Sequence, residues 1–186
     1  MWRRRNAYPL PVAQNIEIKA RLPDRGRVLA ALAELNADGP TVMRQSDIFF
    51  TVATGRLKLR SIDGPSGKSA ELIAYHRPDA TGPKTSEYVV VPVPDAALLR
   101  DALARTCGER VVVDKVRTLY LVGPTRIHLD SVAGLGEFLE LEVVLDSADD
   151  AAKGQAIASG LLARFGIDEK DLISGAYADL LGDTMV

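Results

Sequence analysis

Four short stretches of this chain carry ionisable side chains at every second position. Glu17 and Lys19 alternate with isoleucine in Asn-Ile-Glu-Ile-Lys, and Lys58 and Arg60 alternate with leucine in Arg-Leu-Lys-Leu-Arg. Arg126, His128 and Asp130 do the same in Arg-Ile-His-Leu-Asp, as do Glu140 and Glu142 in Leu-Glu-Leu-Glu-Val. Successive side chains of a strand point to opposite faces, so each stretch has one aliphatic and one ionic face. The signs are nearly sorted, with basic pairs on some stretches and acidic pairs on others. Cations set beside carboxylates are what holding a polyphosphate together with its metal ions requires.

The elements that must position these residues are mostly strands. Eight segments read as strands, at 14–22, 46–53, 55–62, 69–77, 86–92, 110–122, 125–132 and 137–146. Short glycine-containing connections, such as Ala53-Thr54-Gly55 and Gly134-Leu135-Gly136, favour antiparallel neighbours. Helical periodicity covers 24–37, 95–106, 149–165 and 169–181, with Asp24 and Asp95 as N-caps.

Parity then sets the architecture. Asn15, Glu17, Lys19 and Arg21 share a face, as do Arg56, Lys58 and Arg60, then Glu71, Ile73, Tyr75 and Arg77, and also Lys115 and Arg117. The opposite faces carry Ile16, Ile18, Leu57, Leu59, Ile127, Leu129, Leu139 and Leu141. An aliphatic face must be covered, and the helices are available to cover it. With helices outside, the ionic faces point inward, and eight antiparallel strands suffice to close a barrel around one small ligand. Buried charges must be hydrated, paired or compensated by a ligand. An open sheet with a solvated face gives the same alternation. The sorting of signs and the scarcity of Ser and Thr on the ionic faces favour the closed form. The expected fold class is α+β: an eight-stranded antiparallel closed barrel, or tunnel, with helices packed outside.

At 186 residues the chain suits one domain, expected over 14–183 after an irregular tail at 1–13. The net charge of −2 argues against a protein that tracks nucleic-acid backbones. The single cysteine, Cys107, permits no internal disulfide and fits a cytoplasmic location. No segment approaches the ~20 apolar residues of a membrane span, and no apolar stretch of signal-peptide length follows the basic start.

These residues also resemble a known family. Asn-Ile-Glu-Ile-Lys is similar to the Glu-x-Glu-x-Lys signature of the CYTH superfamily, the triphosphate tunnel metalloenzymes. That superfamily includes class IV adenylyl cyclases, thiamine triphosphatases and inorganic triphosphatases. Gln-Ser-Asp-Ile-Phe-Phe (45–50), Gly-Arg-Leu-Lys-Leu-Arg (55–60), Val-Asp-Lys-Val-Arg (113–117), Arg-Ile-His-Leu-Asp (126–130) and Gly-Leu-Gly-Glu-Phe-Leu-Glu-Leu-Glu (134–142) fit it in order. Their wording is nearest the class IV cyclase-like branch. The resemblance implies a tunnel whose basic residues hold a triphosphate and whose acids bind Mg2+ or Mn2+. It assigns Glu17, Glu140, Glu142 and Asp130 as metal ligands. It assigns Lys19, Lys58, Arg60, Arg77, Lys115, Arg117 and Arg126 to phosphate, with Lys19 and Asp130 as catalytic residues and Asp130 orienting water or a hydroxyl. It implies a small triphosphate partner and, by analogy with the cyclase branch, a homodimer.

Asn15 stands where the signature has its first glutamate. An amide oxygen can ligate a hard cation but brings no charge, which puts two-metal chemistry in doubt. Three functions follow. The first is a class IV-like cyclase making cyclic AMP and pyrophosphate from ATP. The second is an inorganic or thiamine triphosphatase, and the third is a non-catalytic polyphosphate-binding module. His128 reads equally as a ligand contact or a structural residue, His76 as structural, and Tyr177 as helix packing, with a place at the tunnel mouth as the alternative.

Overall fold

The computed structural model describes residues 13–76, 82–145 and 151–183. Among these, eight strands form one closed antiparallel barrel. They are β1 (Ala13–Arg21), β2 (Asp38–Phe50), β3 (Arg56–Gly64), β4 (Gly67–His76), β5 (Lys84–Pro92), β6 (Glu109–Val122), β7 (Thr125–Val132) and β8 (Gly136–Val144). Around the ring the order is β1-β5-β4-β3-β2-β6-β7-β8. Four helices lie outside it: α1 (Arg25–Glu34), α2 (Ala96–Cys107), α3 (Ala151–Phe165) and α4 (Tyr177–Asp183).

The aliphatic parity faces outward under the helices, as expected. Ile16, Ile18, Ile127, Leu129, Leu139 and Leu141 are buried against Val28 and Leu32 of α1 and Ala158, Leu161 and Phe165 of α3. Ile48, Phe50 and Leu59 pack under Leu99 and Leu103 of α2. Asp24 and Asp95 cap α1 and α2, each side chain accepting a backbone N–H at 2.9 Å. This is the usual way a helix start satisfies its unpaired donors.

Two elements depart from the sequence reading. β2 begins at Asp38, well before the expected residue 46, and stops at Phe50. Asp38-Gly39-Pro40 reads as a turn, but a register shift between Asp38 and Thr41 absorbs the proline, which has no N–H to give the ladder. The long strand β6 needs this partner, and the two pair from Asp38↔Leu121 to Phe50↔Glu109. The helix expected over 169–181 is broken. A single 3-10 turn at Glu169–Asp171 is followed by an extended segment in which Leu172 bridges Ala20 and the Ile173 N–H donates to the Lys19 carbonyl at 3.0 Å. Only then does α4 begin. The β1 edge thus claims the backbone of this segment and delivers Tyr177 to the end of the barrel. The expected tail lies outside the described residues, apart from Ala13, which opens β1.

Candidate active site

The ionic parity faces inward. A cavity of about 320 Å³ runs inside the barrel, and Glu17, Lys19, Lys58, Arg60, Lys115, Arg117, Arg126, Glu140 and Glu142 all line it. Arg77, the remaining expected phosphate contact, lies outside the described residues. A larger groove of about 1140 Å³ shares only Lys115 with the tunnel among its lining residues and carries mixed surface charge. The convergent chemistry is in the smaller cavity.

The ladders set which side chains meet. On one side of the ring Glu17 lies opposite Glu142 and Lys19 opposite Glu140, while Arg126 and His128 flank the same two glutamates from β7. Lys19 Nζ sits 3.3 Å from Glu17 and 3.2 Å from Glu140. Arg117 donates to both oxygens of Asp130 at 2.8 and 2.6 Å and to Glu140 at 3.0 Å. Arg126 reaches Glu142 at 3.3 Å.

The second cluster centres on Asp47, which the sequence reading did not single out. It is 1 % exposed and accepts from Arg60 at 2.7 and 2.8 Å, Lys58 at 3.1 Å and Lys115 at 3.0 Å. Three of the expected phosphate-binding cations therefore converge on one carboxylate. Its signal in the sequence was an acid set directly before the apolar run Ile48-Phe49-Phe50, within the Gln-Ser-Asp-Ile-Phe-Phe stretch. Tyr177 joins the two clusters. Its hydroxyl donates to Asp130 at 3.0 Å, and its ring lies 4.5 Å beneath Lys19 and 5.6 Å from Lys115. At the start of α4, Tyr177 both packs against Phe138 and lines the cavity, which joins the two roles expected of it.

Burial and charge divide the titratable groups. Burial alone would raise Asp47, yet Arg60, Lys115 and Lys58 hold it well below the ordinary carboxylate range. Glu140 behaves alike, with Lys19 and Arg117 outweighing its desolvation. Asp130 is held low against burial chiefly by Arg117. Glu142 goes the other way, pushed up to about 7 by burial and by the neighbouring Glu140 charge. Lys58 is pushed down to about 7 by burial and Arg60, against the pull of Asp47. Burial, with Arg117 close by, holds His128 well below the usual imidazole value, so its ring is neutral.

The donor set fits a divalent cation. Ligand atoms of His128, Glu140 and Glu142 lie within 4.8 Å of one another. Asn15 Oδ1 is buried with no hydrogen-bond partner among the described residues, in a side chain that lines the same cavity. Oxygen donors grouped in this way suit a hard cation.

The model of the CYTH domain matches residues 13–177, and the chain belongs to that family. It is 29% identical to adenylate cyclase CyaB of Aeromonas hydrophila over 178 residues, covering 89% of this chain and 87% of that protein. Its barrel superposes on the PH1012 protein of Pyrococcus horikoshii with a TM-score of 0.76 at 20% identity, covering 89% of this chain and 98% of that one. It also resembles a Hippeastrum adenylyl cyclase candidate whose structure is described as revealing a dominant triphosphatase activity. There the TM-score is 0.58 at 19% identity, covering 92% of this chain and 96% of that one.

Proposed function

We propose that this protein is a divalent-cation-dependent enzyme that acts on a triphosphate, and that it cyclises ATP to cyclic AMP with release of pyrophosphate. The observation that carries this reading is one cavity lined by two opposed surfaces. Lys58 and Arg60 on β3 sit opposite Glu140 and Glu142 on β8 in the eight-strand ring. A third stretch of lining, Ile73, Tyr75, Tyr88 and Val90, is apolar and aromatic and suits a nucleoside. The likeness to a protein named as an adenylate cyclase supports the same choice.

Lys58, Arg60, Lys115, Arg117 and Arg126 exchange their carboxylate partners for phosphate oxygens, the arginines bidentately and the lysines as point charges. Glu17, Glu140 and Glu142 hold the cation, with Asn15 adding a neutral oxygen. Bound there, Mg2+ or Mn2+ supplies neutralisation of charge on the phosphate oxygens. Lys19, fixed between Glu17 and Glu140, stabilises the charge that develops as the ribose 3′-oxygen attacks the α-phosphorus and pyrophosphate leaves. Asp130 is fully buried, is not among the residues that line the cavity and has both oxygens held by Arg117, so it acts by fixing Arg117 in place and not by touching the ribose hydroxyl.

The Hippeastrum likeness favours a second reading, hydrolysis of a triphosphate by an oriented water. One experiment separates these readings. The protein is incubated with ATP, inorganic triphosphate or thiamine triphosphate in the presence of Mg2+ or Mn2+. Cyclic AMP with pyrophosphate is the expected outcome. Free phosphate identifies a hydrolase, and binding without turnover identifies a non-catalytic module.

A further inference from the structure

The acidic wall of the tunnel contains a donor that is not a carboxylate. His128 pairs with Glu140 on the β7–β8 ladder and shares the parity of Arg126, which lines the cavity; His128 is not itself a lining residue, and its donor atom groups with those of Glu140 and Glu142. It is 4 % exposed, and its Nδ1 has no hydrogen-bond partner among the described residues. A buried ring nitrogen left without a partner carries a desolvation cost that calls for an explanation. Glu142 Oε1 lies 3.8 Å from that nitrogen, too long for a hydrogen bond. It is the right order of spacing for two ligands of one ion, because donors about 2.0–2.2 Å from a shared cation stand at most ~4.4 Å apart. The 4.8 Å spread of the His128, Glu140 and Glu142 donors needs only slight contraction to meet that limit. Both cationic partners of Glu140, Lys19 and Arg117, hold its Oε2, which leaves its other oxygen to turn toward the ion.

We propose that His128 is a nitrogen ligand of the cation, completing a mixed nitrogen and oxygen site with Glu140 and Glu142. The inference rests on the reading above that this wall holds a divalent cation, and it adds the identity of a ligand and the class of metal. Carboxylates and water suit Mg2+ and Mn2+ alike, but Mg2+ takes oxygen donors, whereas the first-row transition ions, of which Mn2+ binds most weakly, also accept an imidazole nitrogen. The site therefore ranks Mn2+ above Mg2+ because of His128.

The test uses the full-length protein and Mn2+ alone. Electron paramagnetic resonance follows the loss of the free-ion signal on binding, and electron spin echo modulation reads nitrogen coupled to the bound ion. The wild type is expected to bind Mn2+ with a clear 14N modulation and to release it only at a large excess of Mg2+. In His128→Gln the modulation disappears, Mn2+ affinity falls by about tenfold or more, and Mg2+ competes more evenly. Mn2+ bound by the wild type without 14N modulation overturns the proposal and leaves the carboxylate site standing. Mn2+ binding that survives in Glu140→Gln/Glu142→Gln places the ion elsewhere and overturns it too. No Mn2+ binding at all, with or without inorganic triphosphate, removes both this proposal and the reading beneath it. The wild-type spectrum decides the question even if a variant fails to fold.

Discussion

Arg60 grips Asp47 with two parallel hydrogen bonds, at 2.7 and 2.8 Å, across adjacent β2 and β3 positions. Lys58 and Lys115 close on the same carboxylate, so Asp47 occupies the place a phosphate would take among these cations. Removing one partner of a buried ion cluster costs about 3–5 kcal/mol, because the others are left uncompensated. Asp47→Asn is therefore expected to lower the Tm of the empty protein by roughly 10 °C. Saturating inorganic triphosphate should restore most of that loss. Calorimetry with and without triphosphate makes the comparison, and an unchanged Tm would contradict it.

Tyr177 offers a smaller, separable test. Its hydroxyl donates to Asp130, while its ring packs 4.9 Å from that of Phe138. Tyr177→Phe keeps the ring and deletes the bond, which for a charged acceptor costs about 1.5–3 kcal/mol. Urea denaturation should show the midpoint fall with the slope unchanged. A wild-type midpoint would mean that Asp130 is held by Arg117 alone.

How much of this was legible in the sequence depended on whether one face of a strand or both are covered by apolar groups. β1, β3, β7 and β8 bury aliphatic side chains outward and ionic ones inward, so period two survives and the closed barrel could be inferred. The last residues of β2 lie under α2 on one side and beside Tyr177 on the other, so Asp47 to Phe50 are all buried. Asp47 stands at the start of that stretch, after Gln45 and Ser46, and period two there gave no sign that it faces inward. The start of β2 was masked by Gly39-Pro40, a pair that usually ends a strand. Tyr177 was hidden for another reason. The 169–181 segment has helical periodicity, but pairing with Ala20 and Lys19 on β1 outweighs it. Local sequence does not encode that tertiary contact.

The acidic wall predicts a loss of function in a protein that still folds, although unpairing Lys19 and Arg117 from Glu140 lowers its Tm. Glu140→Gln/Glu142→Gln removes both carboxylates from the proposed cation site and keeps side-chain volume. Metal-dependent turnover, measured with saturating Mn2+, should fall by about a hundredfold or more, since a bound ion supplies several kcal/mol of transition-state stabilisation. Near-normal rates in a folded double variant would rule out this wall as the cation site.

Lys58 makes binding and stability respond to pH in opposite directions. Its pKa is pushed down to about 7 in the folded protein from an ordinary 10.5. Between these values the unfolded chain binds more protons than the folded one, so this group makes stability rise with pH from about 7 upward. Phosphate binding needs the charged amine, so inorganic triphosphate affinity should weaken over the same rise. Lys58→Arg stays charged and should flatten the affinity profile relative to wild type. Because the ligand's own titration is common to both proteins, the difference between the two curves isolates the lysine. Parallel curves would contradict the assignment.

The resting interior is an internal salt, in which Lys19, Arg117 and Arg126 answer Glu17, Glu140, Asp130 and Glu142. A bare polyanion entering it would free the cations but strand the acids, and a lone metal ion would do the reverse. A guest that arrives as metal and polyphosphate together lets both halves change partners at once, a double displacement with little net change of charge. Each component should thus raise the affinity of the other by the same factor, as linkage demands. If the proposed function holds, the barrel would work as a coincidence detector that admits the chelate in preference to either ion alone.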